Sequence, residues 1–512
     1  MHPIHRSIAI VIAFLFTPSL HAQLRLSTLT EFQFGNLPDG EPSDLKTSYH
    51  QLSLDYALEG FQIGLRGEGF FSSEPNRNYG ELLQRSASYR RGPVQTTVGH
   101  FYTIVGSGLL AHAFELPGVV TEERGSRRRY QIVRDLDGLH LRYRTDRATV
   151  VLLRGTPINT NLPPGLLGID RRQGTIQGGS LQLKVHKDLD AGFSSLHYDI
   201  GGQRETGAAL NARWRLAPLL TYLGIEGLYA DLHGEYAQRD VAADRFFSLD
   251  RDLGRALYLS SSLTWGAWGL SLEYKNYEDF SLSQINNPPT LIREHAAYLL
   301  NRNTHDLLAD DESGLQAELS YAFTGGQAVT ANFTRAVRRY DSGDEDDESL
   351  REIFLQADTP VGDYIDAQIF VDFSRNRILE NETSQLYGTL WNWSLNEGHT
   401  LNFDAQFQEV ERRFGTLDFP YNNLYLNLEA HRVPGLSASI QLQRTTDELE
   451  TGADASGATW WWGLNLNAEI RNGHSISVFA GHRRSGLACT AGTCYEVLGF
   501  EGVEMRLHNR FF

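Results

Sequence analysis

This 512-residue chain has no run of about 18 apolar residues after residue 23, which excludes a protein that crosses a bilayer with helices. It is also short of basic charge. Its 46 Lys and Arg stand against 63 Asp and Glu, a formal charge of -17, and no sustained basic run occurs, so a nucleic-acid partner is not expected. No Gly-x-Ser-x-Gly, His-Glu-x-x-His or paired metal-ligand spacing is present. His305 lies near Asp306, Asp310 and Asp311, but such proximity is not specific, and no catalytic residue is assigned. Domain boundaries, low-complexity linkers, a helix-rich periplasmic domain and an N-terminal energy-coupling box are all missing, which points to one structural unit.

At the N-terminus, Arg6 precedes the apolar stretch Ser7–Phe16, followed by Pro18 and by Ala22 before Gln23. A charged head, an apolar core too short to span and a small residue at the cleavage point predict a secretory signal over 1–22. Leu20 departs from that pattern, and no Cys follows the core to take a lipid. An exported chain that is 41% apolar and 11% aromatic fits either a membrane barrel or a soluble all-β protein.

Strand-length alternation chooses between them. Leu139, Leu141 and Tyr143 alternate with His140, Arg142 and Arg144; Leu401, Phe403, Ala405 and Phe407 alternate with Asn402, Asp404, Gln406 and Gln408. Leu424, Leu426 and Leu428 oppose Tyr425, Asn427 and Glu429. The polar parity carries charge in strand after strand, which a wet lumen tolerates and a dry core does not. From about residue 178 short turns, such as Trp265–Ala267 and Arg432–Gly435, alternate with longer segments near 237–254, 278–312, 338–349, 374–384, 411–421, 446–457 and 483–494. Short turns on one rim and long loops on the other are how outer-membrane barrels are built. At the far end Val503, Met505, Leu507 and Phe511 share a parity, and the chain ends on Phe512. This barrel-closing strand resembles the terminal signal read by the barrel-assembly machinery, although Asn509 interrupts the apolar parity.

The expected fold is therefore all-β: a single large transmembrane antiparallel β-barrel over 23–512, of about 24 or 26 strands within a range of roughly 20–26. Simple enumeration gives an odd number, including one strand near 125–134; the loosely periodic stretch Thr103–Glu122 either hides a further strand or folds inward.

Several clusters are candidate sites. Cys489 and Cys494, the only cysteines, share the last long loop and in an oxidising envelope predict a disulfide. Asp341, Asp344, Asp346 and Glu348, with Glu345 and Asp347 among them, read first as a solvated loop and second as a Ca²⁺ site; no other cofactor is expected. Arg124, Arg127, Arg128, Arg129 and Arg134 form the densest basic patch, which Arg142, Arg144 and Lys184 extend along lumenal parities. They make an anion-attracting wall, pair with lumenal carboxylates and hold a plug, or contact lipid headgroups. Asp279–Ser313 is the longest segment without alternation. Its Pro288-Pro289 cannot sit in a ladder, and a loop this long is often functional. Folded inward, its Arg293, Glu294, His295, Arg302 and His305 would constrict or cap the lumen; the alternative is an ordinary external excursion.

The string Gly486–Val497 followed by Phe500–Leu507, together with Asn287–Leu291, Arg293-Glu294-His295, Gly99–Tyr102 and Gly106–Leu109, resembles an uncharacterised outer-membrane β-barrel protein family of the Bacteroidota and related phyla. That resemblance covers most of the mature chain. It implies a barrel in the outer membrane and assigns no activity.

Two functions fit this reading. One is a channel for small polar solutes, favoured by polar lumenal parities and a loop able to constrict. The other is a structural or interaction barrel whose long polar loops receive a secreted or surface protein. Lipid and lipopolysaccharide are the expected surroundings.

Overall fold

The computed structural model describes residues 23–511 apart from 37–44, 159, 161, 167–169, 223, 242–252, 283–287, 290–294, 296, 303–310, 339–346, 378–380, 452–457, 472 and 491–492. Its main sheet contains 24 antiparallel strands. The first strand, Gln23–Asn36, pairs with the last, Phe500–Phe511, from Leu26↔Phe511 to Asn36↔Glu501, so the sheet closes on itself and has no free edge. Each strand otherwise pairs with its neighbour along the chain. The two interruptions leave the wall intact. Val94–Phe101 pairs directly with Leu136–Arg144 across the intervening segment, and His474–Arg483 with Phe500–Phe511.

Side-chain parity explains why the sheet sits in lipid. Leu139, Leu152, Leu183, Ile369, Leu428 and Leu464 are exposed on the outer face, while their lumenal neighbours are polar or covered. Aromatic side chains gather on the outer face near the short turns: Phe61 packs on Tyr89 at 4.3 Å, and Trp268 on Tyr321 at 4.5 Å. Such rings mark the membrane–water interface. Among the described residues no helix is long and apolar enough to cross a membrane; the strands do the crossing. A closed barrel with an apolar outer band and an aromatic girdle is a barrel of the bacterial outer membrane.

The turns bear out the two-rim pattern, with corrections. Glu59-Gly60 joins Leu45–Leu58 to Phe61–Ser72 with both residues at positive φ, 43° and 88°, the turn that matches strand twist in a two-residue hairpin. The segment 411–421 is not a long loop. His399–Phe414 and Leu417–Arg432 run 16 residues each and meet at Gly415-Thr416. A membrane needs only about 9–11 tilted residues, and the outward parity turns polar at Glu409, Glu411, Asn422 and Asp418. These strands thus rise beyond the lipid, where the apolar signal ends but the ladder continues. The strand expected near 125–134 is also not part of the wall. Arg129–Arg134 pairs with Phe114–Glu122 in a separate two-stranded sheet, which resolves the odd count.

Apolar packing lies inside the barrel. Val105, Leu109, Leu110 and Ala111 pack against Ile176, Leu196, Tyr198, Ala237, Tyr258 and Tyr277 of the inner wall. Leu109 and Leu110 are fully buried, and burying each stabilises by roughly 1.5–3 kcal/mol, so residues 103–113 are docked rather than loosely hung.

Candidate functional site

The site is the lumen. The segment between Phe101 and Leu136 folds inward as two small sheets, Ile104–Val105 with Ala111–His112 and Phe114–Glu122 with Arg129–Arg134. Between the first pair, Gly106 and Gly108 take φ of 67° and 100°. A Cβ on Gly106 would collide with the Glu235 carboxylate, 2.0 Å away. That approach lets the Ser107 N–H and hydroxyl both donate to Glu235 Oε2 at 2.5 Å. The Tyr198 hydroxyl donates to the Leu110 carbonyl at 2.6 Å.

The second hairpin is held by charge. Arg129 Nη1 meets Glu31 at 2.5 Å and Nη2 meets Glu504 at 2.6 Å, with Glu122 at 3.7 Å. Glu31 and Glu504 come from the first and last strands, so Arg129 ties the hairpin to the seam where the barrel closes. Burial works against its charge, but Glu504, Glu31 and Glu122 hold the Arg129 guanidinium above its ordinary pKa. Arg127 pairs with Glu122 at 2.6 Å, and Arg66 of the wall with Glu115 at 2.5 Å. Glu122 is pushed up by burial, against the pull of Arg129 and Arg127.

The described part of the long segment also turns inward. The Tyr277 hydroxyl donates to the Pro289 carbonyl at 2.9 Å. His295 pairs with Glu352 at 2.7 Å and lies on Phe354, ring centroids 4.3 Å apart. Tyr298 stacks on Tyr425 at 4.2 Å, its hydroxyl accepting from Gln443 at 3.0 Å, and the Leu299 N–H donates to Gln406 at 2.9 Å. Arg302 donates to the Ser485 carbonyl. Burial and nearby Arg484 push the Arg302 guanidinium below its ordinary pKa. Arg293, Glu294 and His305 lie outside the described residues.

A hairpin outside the wall, Gly486–Thr490 with Thr493–Val497, contacts both inward segments. Thr121 donates to the Glu496 carbonyl at 3.5 Å, Arg124 pairs with Glu496 at 3.4 Å, and Arg302 reaches Ser485 beside it. Cys489 and Cys494 are direct cross-strand partners in this hairpin.

Two polar cavities in the barrel are bordered by described residues. One, of about 370 Å³, lies among Arg302, Arg412, Tyr421, Glu450, Arg484 and Glu496; its arginines are largely occupied, Arg484 by Glu450 at 2.6 Å and Arg412 by Glu382 and Asp447 at 2.8 and 2.9 Å. The other, of about 480 Å³, lies at the short-turn end under Gly106 and contains Arg144, Arg147, Lys184, Arg213 and Arg215. The basic patch expected from sequence therefore divides. Arg127 and Arg129 hold the inward hairpin, while Arg144 and Lys184 line a cavity; Arg142 lies between, on the lumenal parity.

Of the acidic candidates, Asp341, Asp344 and Asp346 lie outside the described residues, and Glu348 is engaged by Arg335 at 2.9 Å and Arg351 at 3.6 Å. Among the described residues no group of three His, Cys, Asp or Glu is placed to hold a metal ion. Val503, Met505 and Phe511 pair with Phe34, Phe32 and Leu26 on the outer face. Asn509, the break in that parity, is satisfied by Thr28 at 3.1 Å and His474 at 3.0 Å. Phe512 and the expected signal 1–22 lie outside the described residues. Sequence reasoning missed Glu31 and Glu504 as the anchors of Arg129, Tyr298 as the fastening of the inward turn, and the buried Lys275–Glu312 pair at 2.6 Å. The only available signal for the first was carboxylates on the lumenal parity of the terminal strands.

A model of a family described as a family of unknown function (DUF6029) matches residues 39–337, which include the inward segment and the whole cationic cavity. No curated protein matches the sequence. The fold is similar to a chain of the Escherichia coli P pilus tip assembly intermediate PapC-PapD-PapK-PapG, with a TM-score of 0.53 and 10% identity, over 95% of this chain and 60% of that one. It is also similar to the siderophore receptor PirA of Pseudomonas aeruginosa (TM-score 0.45, 10% identity, 97% and 81% of the two chains). OccK5 (OpdH) of the same organism gives a TM-score of 0.40 and 11% identity over 80% and 98%. At these identities the likeness is one of fold.

Proposed function

The chain belongs to the family of unknown function DUF6029, and on that footing we propose that it is an outer-membrane channel passing small polar solutes through a lumen narrowed from two sides. The observation that carries this reading is the fastening of both inward segments to the wall, one through Arg129, Ser107 and Leu110, the other through His295, Tyr298 and Leu299. A segment clamped at several points and bordered by a polar cavity sets the width and charge of a passage, and charge at the narrowest point sets selectivity. Arg293, Glu294 and His305 join His295 and Arg302 as the constriction in this reading. Purified full-length protein in planar bilayers tests it: discrete conductance steps are expected, and a folded barrel that stays silent contradicts it.

A second reading has its own observation. The hairpin 486–497 joins both inward segments at one mouth, giving a connected polar surface that a secreted or surface protein would meet first. A silent barrel that retains such a partner favours it.

The same proposal includes an export signal removed after residue 22, insertion by the barrel-assembly machinery into lipopolysaccharide-containing membrane, and a host in the Bacteroidota or a related phylum. It also includes a Cys489–Cys494 disulfide. A direct cross-strand pair next to a two-residue turn has its Cα atoms about 4.5–5.5 Å apart, within the span a disulfide needs. A Ca²⁺ site at Asp341, Asp344 and Asp346 would have to compete with Arg335 and Arg351 for Glu348; calorimetric titration with Ca²⁺ tests it.

A further inference from the structure

The cavity of about 480 Å³ at the short-turn end has a charge composition opposite to that of the chain. Its surroundings supply Arg144, Arg147, Lys184, Arg213 and Arg215, against Asp146 and Asp190. Two of these cations are spoken for: Arg213 pairs with Asp231 at 2.9 Å and Arg215 with Asp190 at 2.5 Å. Arg144, Arg147 and Lys184 have no carboxylate at ion-pair distance among the described residues. In a protein with formal charge -17, three unmatched cations around one cavity are not explained by overall composition.

Parity places them in the lumen rather than against lipid headgroups. Tyr143, Leu183, Trp214 and Leu232 are exposed on the outer face, so Arg144, Lys184, Arg213, Arg215 and His233 project inward from four strands of one stretch of the wall. Arg147 enters from the short turn that follows Arg144. The cavity also has a built roof. Gly106 closes over it because Ser107 is pinned to Glu235 by two hydrogen bonds, so the inward segment and the wall define the space together. Its volume falls within the roughly 300–1,000 Å³ of small-molecule sites.

We propose that this cavity is a binding site for small oxyanions, phosphate or carboxylate, with Arg144, Arg147 and Lys184 as its principal ligands. Guanidinium groups donate in pairs to such oxygens, and the ammonium adds a mobile point charge. Bringing an anion among three like charges relieves their mutual repulsion as well as forming hydrogen bonds. If the channel reading holds, on which this step rests, the site biases passage towards anionic solutes.

The experiment has two arms, so that failure of the site and failure of the channel are told apart. In the first, folded full-length protein in detergent is titrated calorimetrically with inorganic phosphate and, separately, with succinate. Saturable binding of at least one is expected, weakened about tenfold or more in Arg144→Gln/Arg147→Gln/Lys184→Gln, since a hydrogen bond to a charged group contributes about 1.5–3 kcal/mol, where 1.4 kcal/mol is tenfold. Binding by phosphate alone assigns a phosphoryl ligand, and binding by succinate alone a carboxylate. The control Arg413→Gln, at the far rim beside Asp418, binds as the parent does. No saturable binding of either anion, or equal binding by the triple variant, overturns the site. Heat-modifiable migration verifies that each variant is folded, and Lys184→Gln alone serves if the triple variant is not.

In the second arm, reversal potentials under a KCl gradient are expected to show anion preference in the parent, lost in the triple variant and kept in Arg144→Lys/Arg147→Lys. A conducting pore whose reversal potential is the same in the triple variant overturns the proposed bias. A barrel that binds anions but never conducts refutes the channel and leaves the binding site standing.

Discussion

Replacing Arg129 with Met should release the inward hairpin Phe114–Arg134 while leaving the barrel wall intact. Arg129 is buried between two carboxylates, Glu31 at 2.5 Å and Glu504 at 2.6 Å, with a third, Glu122, at 3.7 Å. Removing one partner of a buried pair costs about 3–5 kcal/mol, because the remaining charge is stranded. Here the stranding is partial: Arg506 still reaches Glu31, and Arg483 stands 3.5 Å from Glu504. The lower end, about 3 kcal/mol, is therefore expected, or about a hundredfold in the local opening equilibrium. The wall has its own closed ladder of hydrogen bonds and does not depend on this contact, so the loss stays local. Hydrogen exchange followed by mass spectrometry reads it directly. Amides of 114–134 should lose about two orders of magnitude of protection, while those of Gln23–Asn36 and Phe500–Phe511 change little. Adding Glu504→Gln should recover part of the loss, since it removes a stranded charge. Unchanged protection of the hairpin, or a loss spread evenly over the wall, would refute the account of Arg129 as its anchor.

Other outcomes follow from the same contacts. Glu123 is partly buried, which alone would raise its pKa, but donors from Ser126 and Gly125 dominate and hold its carboxylate below the ordinary 4.5. A lowered carboxylate stabilises above its unfolded value and loses that contribution as pH falls through the folded one, so protection factors at 123–128, corrected for the intrinsic exchange rate, should fall below about pH 4.5 and stay level between pH 6 and 8. Deleting Phe511 and Phe512 should lower membrane levels of folded protein, since Phe511 packs edge-on to His474 at 5.1 Å in the closing strand; normal levels would contradict this. Protein isolated without reductant should have the mass of the form lacking two hydrogens and react with alkylating reagent only after reduction, if Cys489 and Cys494 are joined.

How much of this was legible in the sequence follows from the range of the interactions. Alternation such as Leu424–Leu428 against Tyr425–Glu429 reports which face meets lipid, a local property, and it gave the wall and its two rims. The same local pattern misled at Arg129–Arg134, because Arg129 and Gln131 alternate with Tyr130 and Ile132 along the chain although this strand is buried almost throughout inside the lumen. It failed at 411–421 for the opposite reason: above the membrane the outer residues Glu409 and Glu411 are polar although the strand continues. The inward course of Thr103–Glu122 could be suspected from its lost period and its glycines. Its anchors could not, since Arg129 meets Glu31 across 98 residues and Glu504 across 375. The cationic cavity was half visible. Arg144 and Lys184 could be read on lumenal parities, but Arg213, Arg215 and the Gly106 roof join them only through the pairing of the intervening strands and the inward fold of residues 103–113.

The claim that inward segments govern passage is tested most directly by conductance across the long loop. Residues 284–308, which include Tyr298 and Arg302, are replaced by a short Gly/Ser bridge, and single-channel conductance is measured beside the intact protein in planar bilayers. Discrete conductance is expected in the intact barrel, with a clear rise and weaker ion selectivity in the shortened one and folding retained. Equal conductance in both, or silence from two folded barrels, would contradict that claim.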